Sequence, residues 1–289
     1  MKAIQFTVPV YGEDLFALLE DKKDNFYGYY HRHEELQITY ILKGRGTIMI
    51  GNVVQSFSQD DVFILKPNEP HMFDKYGAEK VIEEDTIHAV HLFVNLERMT
   101  KLFALAEFAD LSTYFRDLDV SKRLESSVAH LLRDNFLNLL YKVGIPKFTE
   151  FITLLHGLMQ SRNESISLYS GIRNLNYSDK DGERISSVFK YTLDNFEHDI
   201  SISEVASLVY MTPTSFCKFF KKHTMKTYIG FLNEVRIEKA CQLLINRKTE
   251  SISETAFRVG FNNIVHFNRV FKRVMGLSPH NYTRLHTLV

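Results

Sequence analysis

Five polar side chains in the first third of the chain are spaced for chemistry: His31, His33, Gln37, His71 and His91. Imidazole ligates metals, carries protons near neutral pH and bonds polar ligands. Alternate side chains of a strand share one face. His31, His33 and Gln37 therefore converge if residues 31–41 run as one unbroken strand. With His71 they make three imidazoles and an amide oxygen, a donor set able to hold a divalent ion. No carboxylate joins the set, which serves equally as the polar lining of a small-molecule pocket. Histidines that only close strand ends are the third reading. His88 and His91 differ in parity, so at most one of them faces such a pocket. His91 shares its face with Phe93 and is assigned there. All five are taken forward as small-molecule-binding residues, with no metal and no cofactor assigned.

A second set lies in the last third, on two short helices. Phe216, Phe219 and Phe220 form the core face of the first helix, which runs from about Pro213 to Lys222. Phe267, Val270 and Phe271 form that of the second. Thr214, Ser215, Cys217, Lys218, Lys221 and Lys222 then project outward from one. Ile264, Val265, His266, Asn268, Arg269, Lys272 and Arg273 project from the other. Arg269 and Lys218 suit guanine edges or phosphates, Asn268 suits adenine, and Ile264 and Val265 suit thymine methyl groups. Lys221, Lys222, Lys272 and Arg273 suit phosphates. The plain alternative for each is a solvated helix face.

These residues need elements to hold them. Residues 1–95 read as short strands with close turns. Leu36, Ile38, Tyr40 and Leu42 alternate, Gly44 to Gly46 turns, and Thr47–Ile50, Val62–Leu65 and Val90–Val94 follow. Such a pattern suggests a small barrel or sandwich. Residues 96–161 switch to a helical period, with stripes through Leu102 and Leu105, through Val128, Leu131 and Leu132, and through Phe148, Phe151 and Leu155 after Pro146. These helices are expected to cover the barrel, and one stripe also suits a homodimer. Residues 162–183 are rich in Ser, Asn, Asp and Gly and read as a linker. Residues 184–289 form the last region.

That last region contains a repeat. Ser201-Ile202-Ser203-Glu204-Val205-Ala206 recurs as Ser251-Ile252-Ser253-Glu254-Thr255-Ala256. Phe216-Cys217-Lys218-Phe219-Phe220-Lys221-Lys222 is answered by Phe267-Asn268-Arg269-Val270-Phe271-Lys272-Arg273. One supersecondary unit is thus used twice. Ser201 with Glu204, and Ser251 with Glu254, are capping boxes that start helices. Val209 and Val259 close those helices, Gly260 suits a turn with positive φ, and Thr212-Pro213 starts the next helix. Helix, tight turn and helix make a helix-turn-helix, whose second helix fits a major groove. Between the copies, Tyr228–Asn246 reads as a helix ~28 Å long. It can hold two recognition helices ~34 Å apart, one turn of DNA.

These residues resemble the AraC/XylS transcriptional regulators over about 184–286. The match is carried most by Ile252 to Phe261, by Phe267-Asn268-Arg269-Val270-Phe271-Lys272, and by Gly276-Leu277-Ser278-Pro279 with Tyr282. Arg236-Ile237, Ala240 and Leu243-Leu244 resemble the family's linker helix. Copy one departs from the pattern at Tyr210 and Met225, where glycine is usual, and at Tyr228, where proline is usual. In the first region, His31, His33, Gln37 and Gly44, then Pro67, Pro70 and His71, resemble the two cupin motifs. Gln37 stands where cupin metalloenzymes often have Glu. The resemblance implies an α+β multidomain chain: a cupin-like β-barrel at 1–95, a helical packing or dimerisation region at 96–161, a linker at 162–183, and two helix-turn-helix units joined by a linker helix at 184–289. It also implies contact with RNA polymerase, as an activator.

Composition fits two jobs. Lys+Arg and Asp+Glu are 35 each, so the net charge is zero. The zero is a sum of −7 over residues 1–183 and +7 over 184–289. The basic third is the one suited to a polyanion. No apolar run approaches the ~18 residues of a membrane span. The start lacks a signal peptide, and two cysteines fit a reducing cytosol. The expectation is a cytoplasmic, homodimeric, non-enzymatic regulator that binds double-stranded DNA and responds to a small-molecule effector. The alternatives are a cupin metalloenzyme of sugar isomerase or dioxygenase type with a helical tail, and a ligand-independent regulator.

Overall fold

A computed structural model describes residues 4–5, 14–23, 26, 30–51, 53–75, 87–168, 179–245 and 251–286. The chain divides into two compact units, one built on residues 3–170 apart from 54–56, the other on 171–289.

The N-terminal unit is two sheets with helices on one of them. Its strands are β1 (Ile4–Gln5), β2 (Phe16–Lys23), β3 (His31–Arg32), β4 (Leu36–Lys43), β5 (Gly46–Ile50), β6 (Val53–Phe57), β7 (Val62–Leu65), β8 (His71–Lys75), β9 (Ile87–Val94), β10 (Ser121–Leu124) and β11 (Ser165–Leu168). One sheet runs β1-β3-β8-β5-β6 and the other β11-β10-β7-β4-β9-β2. Strand β4 lies between β7 and β9 and is buried on both faces. Leu36, Ile38, Tyr40 and Leu42 meet the helices α1 (Leu96–Phe103), α2 (Ala109–Arg116), α3 (Ser126–Ala129), α4 (Arg133–Tyr141) and α5 (Gly144–Gln160). Ile41 joins Phe26, Ile48, Phe57, Phe63 and Phe73 in the second core. The alternation seen in the sequence thus marks the helix-facing side of β4.

Three boundaries differ from expectation. The sheet does not end at residue 95, because β10 pairs antiparallel with β7 and with β11. Strand β11 occupies part of the expected linker. Its Leu168, 2% exposed, belongs to the second core, which fixes the segment by burial despite its polar composition. The helix α6 (Asp179–Asn195) takes up the linker's other end, while residues 169–178 lie outside the described residues. The helical stripe through Val128 also breaks. A 3₁₀ turn at His130–Leu132 follows α3 and leaves Leu131 65% exposed.

The C-terminal unit is all helix: α6, then α7 (Ile202–Leu208), α8 (Pro213–Thr224), α9 (Tyr228–Ile245), α10 (Ile252–Arg258), α11 (Ile264–Met275) and α12 (Pro279–His286). Ser201 closes a full capping box with Glu204, and the Ser251 hydroxyl accepts from the Glu254 N–H. Thr212 caps α8 with Pro213 in its first position. Asn263 Oδ1 caps α11 by accepting from the N–H groups of Val265 and His266. Helix α9, ~27 Å long at ~1.5 Å per residue, packs on α8, α10, α11 and α12. The turns of copy one keep the expected geometry without glycine. Tyr210 and Met225 are left-handed at φ 57° and 58°, as Gly260 and Gly276 are at 86° and 73°.

Candidate functional sites

In the N-terminal unit the five assigned side chains meet at one place. His31 and His71 are partners across β3 and β8 in one sheet. Gln37 lies in the other sheet opposite Phe93, and Thr39 lies opposite His91. The expected unbroken strand is therefore absent: residues 33–35 separate β3 from β4, and the chain crosses there between sheets. The convergence survives because the inner faces of both sheets look into the same core. His31, His33, Gln37, His71 and His91 are all buried, none more than 7% exposed.

The bonds fix the state of two rings. His33 Nδ1 lies 3.0 Å from the carbonyl oxygen of Glu35, and His71 Nδ1 lies 2.8 Å from that of Glu69. A carbonyl only accepts, so both Nδ1 atoms carry hydrogen. Burial lowers the pKa of both rings, His71 well below its ordinary value, so both are neutral at pH 7. Each Nε2 is then a bare lone pair. Both point at the end of Gln37, whose Oε1 is 2.8 Å from His33 Nε2 and 3.0 Å from His71 Nε2. The other end of that amide bonds Thr39 Oγ1 at 2.9 Å and reaches His91 Nδ1 at 3.1 Å. His91 Nε2 stands 3.4 Å from Asp21 Oδ2. His88, of opposite parity, bonds Glu20 on the other face. A cavity of about 30 Å³ adjoins the cluster, bounded by Phe26, Phe73, Phe93 and Leu19 beside Asp21, His31, Gln37 and His91. That is room for ~1–2 waters.

Sequence reasoning missed Asp21, Phe26 and Thr39. Thr39 shares the parity of Gln37, so its signal was present. Asp21 sits on β2, whose residues Phe-Ala-Leu-Leu-Glu-Asp-Lys-Lys contain no β-branched side chain and so give no strand signal.

In the C-terminal unit, α8 and α11 turn their assigned faces outward. Thr214, Ser215, Cys217, Lys218, Lys221 and Lys222 are exposed, as are Val265, His266, Asn268, Arg269, Lys272 and Arg273; Ile264 is half-buried. Phe216, Phe220, Phe267, Val270 and Phe271 are buried beneath them. Phe219 is only half-buried, with its ring 4.6 Å from that of His223. Arg236 on α9 also escaped the sequence reading as a structural pin. It donates from Nε to the Phe196 carbonyl and from Nη2 to the His198 carbonyl, both at 2.8 Å.

Residues 205–285 match a family described as a helix-turn-helix domain, and residues 14–77 match the AraC-like ligand binding domain. Each unit thus matches a family model, and that of the N-terminal unit is AraC-like. An uncharacterised HTH-type transcriptional regulator of Pseudoalteromonas carrageenovora is 36% identical over 100 residues, covering 35% of this chain and 58% of that protein. The HTH-type transcriptional activator RhaS of Enterobacter sp. is 29% identical over 113 residues, 39% of this chain and 38% of the relative. An uncharacterised HTH-type regulator of Staphylococcus aureus aligns over 88% of this chain at 24% identity, but over 32% of its own length. The chain thus spans less than two thirds of each of these relatives. Among solved structures, the C-terminal domain of AraT from Geobacillus stearothermophilus is 31% identical, covering 35% of this chain and 84% of that one, with a TM-score of 0.33. The chain therefore joins a cupin-like β domain to a helical HTH domain in an α+β multidomain fold. Among the described residues no helix is long and apolar enough to cross a membrane.

Proposed function

We propose that this chain is a sequence-specific regulator of transcription that binds double-stranded DNA through α8 and α11. The observation that carries the reading is the doubled helix-turn-helix. Two capped helix pairs flank one long helix, each with a buried aromatic face and an exposed polar and basic face. Arg269, Lys218 and Asn268 are the base-reading side chains of this proposal, with Thr214, Ser215, Cys217, Ile264, Val265 and His266 beside them in the groove. Lys221, Lys222, Lys272 and Arg273 hold phosphates.

In this reading the N-terminal unit binds a small effector at His31, His33, Gln37, His71 and His91. It also supports a homodimer. Effector binding shifts the population between states of different operator affinity. The chain acts in the cytoplasm, as an activator that contacts RNA polymerase, and catalyses no reaction. Support for the non-enzymatic role is that its matched relatives are named as regulators.

Selection of bound sequences from a random duplex pool by the full chain tests the reading. Enrichment of a site with two segments about one helical turn apart is expected, with affinity falling steeply as salt rises. A pool that stays random, or binding indifferent to salt, overturns it.

A further inference from the structure

On the proposed role of α8 as a DNA-recognition helix, we infer that Tyr210 is a further DNA contact. Its hydroxyl donates to a backbone phosphate where the chain enters the major groove, and its ring lies on the adjoining deoxyribose. Tyr210 sits in the turn between α7 and α8, two residues before the N-cap Thr212.

The same turn occurs twice, and only one copy carries a side chain. The Tyr210 N–H donates to the Ser207 carbonyl at 3.1 Å, and the Met211 N–H to that of Ala206 at 2.9 Å. In copy two the Gly260 N–H donates to the Phe257 carbonyl at 3.0 Å, and the Phe261 N–H to that of Ala256 at 2.9 Å. Both turn residues are left-handed, at φ 57° and 86°. Glycine takes this backbone without strain, whereas a bulky residue there is an outlier. Copy two requires glycine, because a Cβ would stand 2.6 Å and 2.8 Å from the carbonyl oxygens of Phe196 and Glu197. Copy one leaves the position open. The Tyr210 side chain is 92% exposed and, among the described residues, makes no hydrogen bond or ring contact. Nothing within the fold offsets its strained backbone. Such strain persists where function uses it, and an exposed ring can only be used by something outside.

Position identifies that partner as duplex DNA. A recognition helix sets its N-terminal residues on the base edges. At that end of α8, Thr212, Pro213, Thr214 and Ser215 are all exposed. A helix with its side chains is ~10–12 Å across, and the major groove is ~12 Å wide. The helix therefore fills the groove, and the residues just before it meet the groove wall, which is sugar and phosphate. Tyr210 lies within ~7 Å of Thr212 along the chain. Tyrosine is one of the side chains that donate to phosphate oxygens and so fix register on the duplex. Met225 is also left-handed and exposed, but it closes the other end of α8, away from the base-reading turn. Copy two, with Gly260, has no equivalent contact, so the added phosphate belongs to the segment read by α8.

The test uses the full chain and the duplex it selects from a random pool. Affinity is followed by fluorescence anisotropy and stability by denaturation midpoint. Tyr210→Gly should raise the midpoint and yet weaken binding. Tyr210→Phe should keep the midpoint and weaken binding about three- to tenfold. Both should keep the wild-type salt slope, because no charge is removed. A methylphosphonate in place of the phosphate that Tyr210 holds should weaken the wild type more than Tyr210→Phe. Wild-type affinity in Tyr210→Phe overturns the inference. So does an equal loss in Met225→Gly, which would trace the effect to looser turns around α8. If the Tyr210 variants bind DNA normally but fail to activate transcription, the ring serves a protein partner and the DNA contact is refuted. A wild-type chain that selects no duplex refutes the regulator reading and this contact together. Selection by the wild type with undiminished variants refutes the contact alone.

Discussion

Arg236 Nε donates to the backbone carbonyl oxygen of Phe196 at 2.8 Å, tying the long helix α9 to the segment that follows α6. The same guanidinium serves the His198 carbonyl and lies over the Phe261 ring, 5.6 Å from its centre. One buried side chain thus joins α9, the start of the first helix-turn-helix and the turn of the second. Arg236→Met keeps much of the volume and leaves two carbonyls without their charged donor. A loss of about 2–4 kcal/mol in chemical denaturation is expected. Arg236→Lys should recover only part, because an ammonium does not reproduce the fork. A loss below about 0.5 kcal/mol for Met would show that water replaces the donor.

The turns of the two units predict opposite responses to glycine exchange. Tyr210 and Met225 hold φ 57° and 58° although both side chains are exposed, at 92% and 61%. A left-handed non-glycine residue costs roughly 1–2 kcal/mol, part of which glycine returns through its looser unfolded chain. Tyr210→Gly and Met225→Gly should each stabilise by about 0.5–1 kcal/mol. At Gly260 a Cβ would stand 2.6 Å from the Phe196 carbonyl oxygen and 2.8 Å from that of Glu197. Gly260→Ala should therefore destabilise, by about 2 kcal/mol or more. Equal tolerance at all three sites by denaturation midpoint would refute this account.

These cases also show where the sequence was legible. The doubled unit could be read because its signals are local: Ser201 and Ser251 cap, Thr212-Pro213 starts a helix, and the Phe pairs mark the buried faces. The histidine cluster was legible in membership only. Strand parity grouped His31, His33 and Gln37, yet the strand breaks at 33–35, and their meeting depends on two sheets sharing a core. Strands β2, β10 and β11 were opaque. β10 is Ser-Lys-Arg-Leu and β11 is Ser-Ile-Ser-Leu, four residues each, held by pairing and by burial at Leu124 and Leu168. Such strands are set by tertiary context, which no local pattern records.

Arg269 and Lys272 lie one turn apart on α11, both exposed, and the proposed interface gives them different tasks. Arg269→Ala should weaken binding to the selected site by about 1–3 kcal/mol and relax preference at one base pair. Lys272→Ala should weaken all sequences alike and reduce the salt slope by about one. Fluorescence anisotropy on matched and mismatched duplexes over a salt series distinguishes them. Uniform weakening by Arg269→Ala would make it a phosphate contact.

Acidification should loosen the C-terminal unit through His223. The ring is buried, and burial lowers its pKa below the ordinary 6.5; Asp181, 3.8 Å away, opposes the shift, and Lys222 adds to it. The unfolded chain therefore takes up this proton at higher pH than the folded one. Stability rises with pH wherever the unfolded state binds more protons. The contribution is fully present above about 6.5 and shrinks as pH falls from there toward the folded value. His223→Gln removes the titration, so its denaturation midpoint should fall less between about pH 7.5 and 5.5 than that of the wild type. Some acid sensitivity should remain in the variant, because His33 and His71 are shifted in the same direction. Identical falls in both proteins would remove His223 from the account. A steeper fall in the variant would mean that the charged pair with Asp181 outweighs burial.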